Sequence, residues 1–364
     1  MPAARPPIRV LNVFPGEGTG SAMIFARKQV AAMRQCNVIC ESFLLKSRTS
    51  LRTLFGEVRR FRERVEWFRP DVVHAQYGTM TAFFAGMVTR TPLIVTFRGS
   101  DVNPAPSDWW VRSVAGRCLS HIAALKAARI ICVSEALQRR LWWGQERAVI
   151  IPSGVDRHIF FPRPQSDTRA ELGWKSEERI VLFNGGASPA VKRLDLARDG
   201  VREAERLCGS IRLMVLNGHM PQPTVAAMLN GADCLVMTSD WEGSPNIIKE
   251  ALACNLPIVA VDAGDVRERL GSVYPSHIVP RRASDIGLAL AHILQRRGRS
   301  NGAAAVKELS LECTAQSIRT LYDLVLSGGD SEIGREQDAS PGSETDDWKQ
   351  PAMESGGIEV KTDA

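Results

Sequence analysis

Short apolar runs alternate along the chain with glycine turns and helical patterns. Residues 8–14 and 179–183 form two such runs, which lead into glycine-containing turns at 16–20 and 185–186 and then into helix-like patterns. An apolar run of about four to eight residues between turn signals is typical of a strand buried in a parallel sheet. The chain therefore predicts two α/β units, each of which starts as strand, glycine turn and helix.

Proline and glycine interrupt this periodicity near the middle of the chain, at Pro152, Gly154, Pro162 and Pro164. Such a cluster is typical of a connection between domains. We expect an N-terminal domain over residues 1–160 and a C-terminal domain over residues 161–327. With 364 residues and 44% apolar content, the chain can fill two cores.

Residues 328–364 differ from the rest in composition. From residue 330 onward they include ten acidic and three basic side chains, much Gly and Ser, and almost no apolar pattern. A segment of this kind cannot bury enough apolar surface to fold. We expect a disordered acidic C-terminal tail, so the folded part is more basic than the overall formal charge of +6.

The strongest candidate chemistry lies in residues 238–250, after the apolar run at 234–237. The carboxyl end of a parallel strand opens onto a ligand crevice. Ser244 is the predicted N-cap of a helix with Pro245 at its first position, and Gly243 lets a ligand approach the backbone closely.

One face of this predicted helix is apolar, which leaves Asn246 and Glu250, four residues apart, together on the face toward the crevice. Free N–H groups at a helix start bind phosphates, and carboxylates accept hydrogen bonds from hydroxyl groups. We expect the helix start to bind a diphosphate, Glu250 a ribose and Glu242 the sugar hydroxyls. The plain alternative for two glutamates is a solvated acidic face.

The run E-G-S-P-N-I-I-K-E-A-L-A-C-N-L-P-I-V-A, from Glu242 onward, resembles the Glu-x7-Glu signature of retaining glycosyltransferases of family 4. The resemblance covers residues 7–327. Within the family, the chain is most similar to short bacterial members encoded in polysaccharide and teichuronic-acid-type gene clusters. It implies a GT-B fold, in which two Rossmann-like, doubly wound domains face a cleft that holds the donor. It also implies transfer of a sugar from a nucleoside diphosphate sugar to a glycan or lipid-linked acceptor, without a metal or other cofactor.

The resemblance also implies roles for individual residues. Lys192 and Arg193 follow the first strand of the second half, where two cations can neutralise a departing diphosphate. Glycines expected to contact the donor are Gly16 and Gly18 from the first half, and Gly185 and Gly243 from the second. The family pattern has an arginine where this chain has Ala187, and we expect Arg193 to compensate; the alternative is a solvated Arg193.

A further departure is Arg98, which stands where the family places a histidine near the reacting sugar. A guanidinium is no base at neutral pH, but it can stabilise negative charge on a leaving phosphate. His74 is the remaining histidine candidate near the cleft, with a structural role as the alternative. Asp101 is a candidate to hold an acceptor hydroxyl or simply to cap its turn.

Residues 46–69 combine eight basic side chains with three glutamates and regularly spaced apolar residues. This pattern fits either a basic amphipathic helix that contacts a membrane surface or an ordinary helix that covers the sheet. A lipid-linked acceptor favours membrane contact, whereas no recognisable reader motif points to nucleic acid. The absence of a signal peptide and of an apolar stretch of about 18 residues predicts a cytoplasmic protein. If residues 46–69 contact a membrane, we expect the protein to be peripheral at its inner face.

Two other functions compete with this interpretation. A nicotinamide-dependent oxidoreductase is disfavoured because the glycines at 16 and 18 have no third partner in register for G-x-G-x-x-G. A catalytically silent homologue that binds nucleotide-sugar or glycan as an assembly subunit stays open, because of Arg98 and Ala187. The eight cysteines show no C-x-x-C spacing and are expected to be reduced thiols.

Overall fold

The computed structural model describes residues 6–16, 23–46, 50–103, 110–186 and 189–328. Gly18, Ala187 and the predicted tail from residue 329 onward lie outside the described residues.

Two parallel β-sheets organise the chain, one in each half. The first has the strand order β2-β1-β3-β4-β5-β6. Its strands are β1 (Ile8–Pro15), β2 (Val38–Leu45), β3 (Val72–Ala75), β4 (Leu93–Phe97), β5 (Arg129–Cys132) and β6 (Ala148–Ile150). The second has the order β11-β10-β9-β7-β8. Its strands are β7 (Ile180–Asn184), β8 (Arg212–Leu216), β9 (Cys234–Met237), β10 (Ile258–Val261) and β11 (His277–Val279).

Helices connect the strands and cover both faces of each sheet. They are α1 (Ile24–Met33), α2 (Leu51–Phe68), α3 (Thr79–Val88), α4 (Trp110–Lys126), α5 (Glu135–Gln138), α6 (Gln165–Leu172), α7 (Pro189–Lys192), α8 (Leu194–Cys208), α9 (Gln222–Gly231), α10 (Asn246–Ala253), α11 (Val266–Leu270), α12 (Ala283–Arg296), α13 (Gly302–Ala305) and α14 (Leu311–Leu326). Short 3₁₀ turns occupy Arg34–Cys36, Gln145–Arg147 and Lys307–Leu309. This arrangement confirms the predicted α/β fold with two doubly wound sheets.

The apolar runs form strands because both faces of each sheet are covered. In β7, Ile180 and Leu182 pack with residues of α9 and α10, whereas Val181 and Phe183 pack with α8 and α12. Successive side chains of a strand point to opposite faces, so a doubly covered strand needs an unbroken apolar run.

The connection back from the second half differs from the simple two-domain division. Helix α14 falls within the predicted C-terminal domain, residues 161–327. It nevertheless packs on the first sheet, through Ile318, Leu321 and Tyr322. Ser310 begins this helix, and its hydroxyl accepts a hydrogen bond from the N–H of Cys313 at 3.1 Å. The domain boundaries at 160 and 327 stay predictions.

Helix α2 confirms the helix predicted within residues 46–69. Phe61 and Phe68 are buried against the first sheet, as expected of a helix that covers it. Its outer side exposes Phe55 (79%) and Trp67 (68%) to solvent.

The two halves come into close backbone contact at Gly99 and Gly243. A Cβ atom added to Gly243 would overlap the carbonyl oxygen of Arg98 and lie 2.9 Å from its carbonyl carbon. At Gly99 a Cβ would lie 3.2 Å from the nitrogen of Gly243. The first half therefore packs directly on the turn in front of α10.

Candidate active site

A pocket of about 340 Å³ lies in the cleft between the halves, at the carboxyl ends of β7 and β9. These two strands are neighbours in the second sheet although β8 separates them in sequence. Such a reversal of strand order is where open α/β sheets bind ligands. The pocket is lined by Asn184 at the end of β7, Gly186 just after it, Glu242 after β9, and Phe25 and Arg98 from the first half.

Helix α10 points its start at this pocket. It begins at Asn246 with Pro245 as N-cap residue, so the prediction of Ser244 as N-cap was wrong. Pro245 has extended backbone (ψ 113°), which delays the helix by one residue. The Ser244 hydroxyl instead donates to Asp265 at 2.7 Å. Gly243, Ser244, Pro245 and Asn246 all line the pocket.

Asn246 and Glu250 lie on the pocket side of α10, as predicted. Burial raises the pKa of Glu250 to about 7, against the opposing charges of Lys249 and Lys28. Within the described part of the chain, Asn246 Oδ1 and Gln222 Oε1 are buried without a hydrogen-bond partner. Buried acceptors in native proteins normally have partners, so these two atoms are suited to bind donors on a ligand.

Glu242 and Lys192 form an ion pair in the same pocket. Glu242 also accepts a hydrogen bond from the Ser239 hydroxyl at 2.8 Å. The hydroxyl of Thr238 donates to the carbonyl of Lys192 at 2.9 Å, which fixes the loop after β7 against the end of β9. The pocket thus presents one cation and one carboxylate side by side, suited to an anionic group and to hydroxyl groups respectively.

The side chains of Arg193 and Lys192 have different partners, although the two residues are adjacent in the chain. Its side chain is 37% exposed, and the guanidinium pairs with Asp195 at 2.9 Å and Asp240 at 3.2 Å. The backbone of Arg193 is left-handed (φ 55°), which turns its side chain onto these two carboxylates. That Arg193 compensates for Ala187 stays a prediction.

Arg98 is buried beside the pocket and held by several acceptors. It donates to the carbonyl of Gln76 at 2.9 Å, to Gln76 Oε1 at 2.8 Å and to the hydroxyl of Ser153 at 2.9 Å. Burial lowers its pKa to about 10, partly offset by Asp101, so the guanidinium is charged at neutral pH. It adds positive charge to the pocket wall.

Asp101 caps the loop that carries Arg98. Its carboxylate accepts backbone N–H groups of Gly78 at 3.0 Å, Gly99 at 2.8 Å and Arg98 at 3.1 Å. This is the turn-capping alternative of the sequence analysis, and an acceptor contact at Asp101 stays a prediction.

His74 lies in the core of the first half and does not line the pocket. Its ring nitrogens contact the Tyr322 hydroxyl and the Thr96 hydroxyl, both at 2.7 Å. Burial, together with the charge of Arg98, lowers its pKa to about 3, so the imidazole is neutral. These contacts match the structural alternative, because both nitrogens are engaged.

Gly185 and Gly16, the other two described glycines predicted to contact the donor, each follow the first strand of one half. The N–H of Gly185 donates to the carbonyl of Leu216 at 3.0 Å, and a Cβ there would meet Val215 at 3.0 Å. Gly16 (φ 86°) ends β1, and its N–H donates to Leu45 at 3.0 Å. Neither is among the residues that line the pocket.

Sequence reasoning missed Lys249, which is fully buried although it precedes Glu250 on α10. The available signal was a lysine in the run from Ile247 to Ala253, whose other residues apart from Glu250 are apolar. In the described ranges, no group of three or more His, Cys, Asp or Glu is placed to hold a metal ion. That the donor needs no cofactor stays a prediction.

Each half of the chain matches a known glycosyltransferase family. Residues 23–159 match the family described as Glycosyltransferase Family 4, and residues 179–296 match Glycosyl transferases group 1. D-inositol 3-phosphate glycosyltransferase of Mycobacteroides abscessus is 29% identical over 48% of this chain, and TuaC of Bacillus subtilis, named for teichuronic acid biosynthesis, is 25% identical over 61%. The aligned parts span only 46% and 60% of those two relatives.

Solved structures share the fold over most of the chain. Anabaena HepE, determined with UDP and glucose, has a TM-score of 0.68 at 17% identity and covers 87% of this chain and 99% of its own. Sucrose-phosphate synthase from Thermosynechococcus elongatus has a TM-score of 0.67 at 18% identity, over 89% and 100%. With its two halves matched in order by these family models, the chain belongs to the GT-B glycosyltransferases of family 4.

Proposed function

We propose that this protein is a retaining glycosyltransferase. It moves a sugar from a nucleoside diphosphate sugar to a glycan or lipid-linked acceptor, in the synthesis of surface polysaccharide or a related glycoconjugate. The observation that carries the proposal is a single pocket at the reversal of strand order that unites Lys192, Glu242 and Glu250 with the start of α10.

Each pocket group has a place in this reaction. Glu250 accepts hydrogen bonds from the ribose, and Glu242 orients the donor sugar through its hydroxyls. Lys192, the N–H groups at the start of α10 and the Arg98 guanidinium stabilise the diphosphate as its bond to the anomeric carbon breaks. Residues 161–327 hold the donor, and residues 1–160 present the acceptor. The hydroxyl oxygen of the acceptor forms the new bond to the anomeric carbon, and its proton passes to the departing diphosphate.

The relatives support the choice of donor and the biosynthetic setting. HepE was solved with UDP-glucose and with UDP, and TuaC is named for teichuronic acid biosynthesis. Two observations favour the alternative of a silent assembly subunit. The Arg98 guanidinium already donates to Gln76 and Ser153, and the Arg193 guanidinium pairs with Asp195 and Asp240.

Turnover of donor sugars with analysis of the product separates these functions. We expect the purified chain to consume one nucleoside diphosphate sugar and, with an accepted acceptor, to yield a glycoside of unchanged anomeric configuration, as read by NMR. An inverted product would overturn the retaining mechanism. If the chain binds a nucleotide but shows neither sugar transfer nor slow hydrolysis of the donor, the silent-subunit function is favoured.

We further propose that residues 46–69 contact the inner face of the membrane. The helical part, α2, exposes Phe55 and Trp67 and carries more basic than acidic side chains, which suits an anionic surface. No described helix is long and apolar enough to span a bilayer.

Vesicle flotation tests this contact. We expect the wild type to float with vesicles of phosphatidylglycerol and phosphatidylcholine, but not with phosphatidylcholine alone, because the attraction is partly electrostatic. The double substitution Phe55→Ala and Trp67→Ala should abolish flotation. Leu288→Ala, at an equally exposed position on α12 (62%), is the matched control and should float normally. Equal flotation of all three proteins would contradict the proposal.

A further inference from the structure

Lys249 is a charged residue in the core of the second half whose role the pocket does not explain. It has no exposed surface, and it is not among the residues that line the pocket. Its ammonium donates to the carbonyl of Ser153 at 2.8 Å and to the hydroxyl of Ser244 at 3.0 Å. Burying a lysine is costly unless its hydrogen bonds are satisfied, so these two bonds offset that cost.

Ser153 lies in the segment that connects the two halves and is held from both sides. Its carbonyl accepts from Lys249 of the second half, and its hydroxyl accepts from Arg98 of the first half at 2.9 Å. Ser153 is itself buried. One residue of the connection therefore joins two buried cations, one from each half.

The other end of the network reaches the donor pocket. The Ser244 hydroxyl accepts from Lys249 and donates to the Asp265 carboxylate at 2.7 Å. Arg269 donates to the same carboxylate at 2.8 Å. Ser244 lines the pocket beside Gly243, whose backbone packs against Arg98 and Gly99. The turn before α10 is thus tied to the connecting segment and to the first half.

The charges around Lys249 keep it cationic at neutral pH. Burial lowers its pKa to about 8; Asp265 and Glu250 oppose that shift, whereas Arg269 and Arg98 add to it. Two positive groups near one connecting residue stay together because each is bonded to a different atom of Ser153. A network of this kind holds one arrangement well and alternatives poorly.

We propose that Lys249 is a positioning residue for sugar transfer: together with Arg98 it grips Ser153 and so fixes the turn at Gly243 and Ser244 against the first half. This inference rests on the proposed function. It assigns Lys249 to the transfer step, in which both halves must be aligned, and not to binding of the nucleotide, since most of the residues that line the pocket belong to the second half. A misplacement of about 1 Å in such a site is enough to slow transfer about a hundredfold.

Four variants test the inference: Lys249→Met, Lys249→Arg, Ser153→Ala and the double variant Lys249→Met with Ser153→Ala. Met is unbranched and flexible and removes the ammonium donor, whereas Arg keeps a cation. Ser153→Ala removes the hydroxyl that accepts from Arg98, one of several acceptors of that guanidinium, but keeps the carbonyl that Lys249 uses. Lys307→Met, at an exposed lysine, is the matched control.

The readouts are kcat and KM for donor turnover, the Kd of the nucleoside diphosphate, and the melting temperature. We expect Lys249→Met to lower kcat about tenfold to a hundredfold with the nucleotide Kd changed less than about threefold, and Lys249→Arg to recover part of kcat. The double variant should be no slower than Lys249→Met, because residues of one network are not additive.

Three outcomes would overturn the inference: Lys249→Met lowers only the melting temperature, it weakens nucleotide binding as much as it lowers kcat, or the two substitutions add. Nucleotide binding without any turnover in the wild type would instead overturn the proposed function and, with it, the assignment to transfer. Turnover in the wild type that Lys249→Met leaves unchanged would overturn this inference alone.

Discussion

Replacing Lys192 by alanine is expected to lower kcat about 10²- to 10³-fold while the protein stays folded. The Lys192 ammonium lies in the pocket and forms an ion pair with Glu242. It follows β7, where the leaving diphosphate is expected. Removing one group that stabilises developing charge costs a factor of this size. Glu242 would also lose its cation and orient the sugar less well.

Steady-state donor turnover and the melting temperature check this prediction together. Lys175→Ala, at an exposed lysine away from the pocket, is the control and should behave as the wild type. A Lys192→Ala variant with wild-type kcat would remove the main electrostatic element of the proposed mechanism. A variant that fails to fold would show instead that the ion pair is mainly structural.

Gly243→Ala is expected to abolish measurable transfer, because the added methyl group has no space. It would overlap the carbonyl oxygen of Arg98 and lie 3.1 Å from the Cα of Gly99, both of which are backbone and cannot turn aside. The halves must separate at the reacting centre, which destabilises the protein by about 1–3 kcal/mol. A displacement of about 1 Å is expected to slow transfer about a hundredfold, and the transfer rate of Gly243→Ala should fall further than that.

The matched control is Gly56→Ala in α2, where a Cβ meets nothing within 4 Å. It should raise the melting temperature slightly, since alanine is favoured over glycine inside a helix by about 0.5–1 kcal/mol. Transfer by Gly243→Ala at the wild-type rate would show that the halves do not need this close contact.

The local parts of this fold follow from the sequence. The apolar runs became strands of two parallel sheets, and Asn246 and Glu250 share one side of α10, because strand and helix periodicities act over a few residues. Pocket membership of Lys192, Glu242 and Gly243 also follows from their places after β7 and β9.

The contacts that sequence reasoning missed join residues far apart in the chain. His74 meets Tyr322 across 248 positions because α14 returns to the first sheet. The Ser244 hydroxyl donates to Asp265, 21 positions away, instead of capping α10. No local pattern encodes such pairings, because they depend on which distant segments of the chain pack together.

Calorimetric titration of the protein with UDP, GDP, ADP and TDP tests the central claim most directly. At pH 8 the Glu250 carboxyl, whose pKa is raised to about 7, is ionised and able to accept from a ribose. We predict that one nucleotide binds and that Glu250→Gln weakens its affinity about tenfold to a hundredfold, the value of a charged hydrogen bond. No binding of any of the four at millimolar concentration, or equal binding by Glu250→Gln, would contradict a nucleoside diphosphate site at the start of α10.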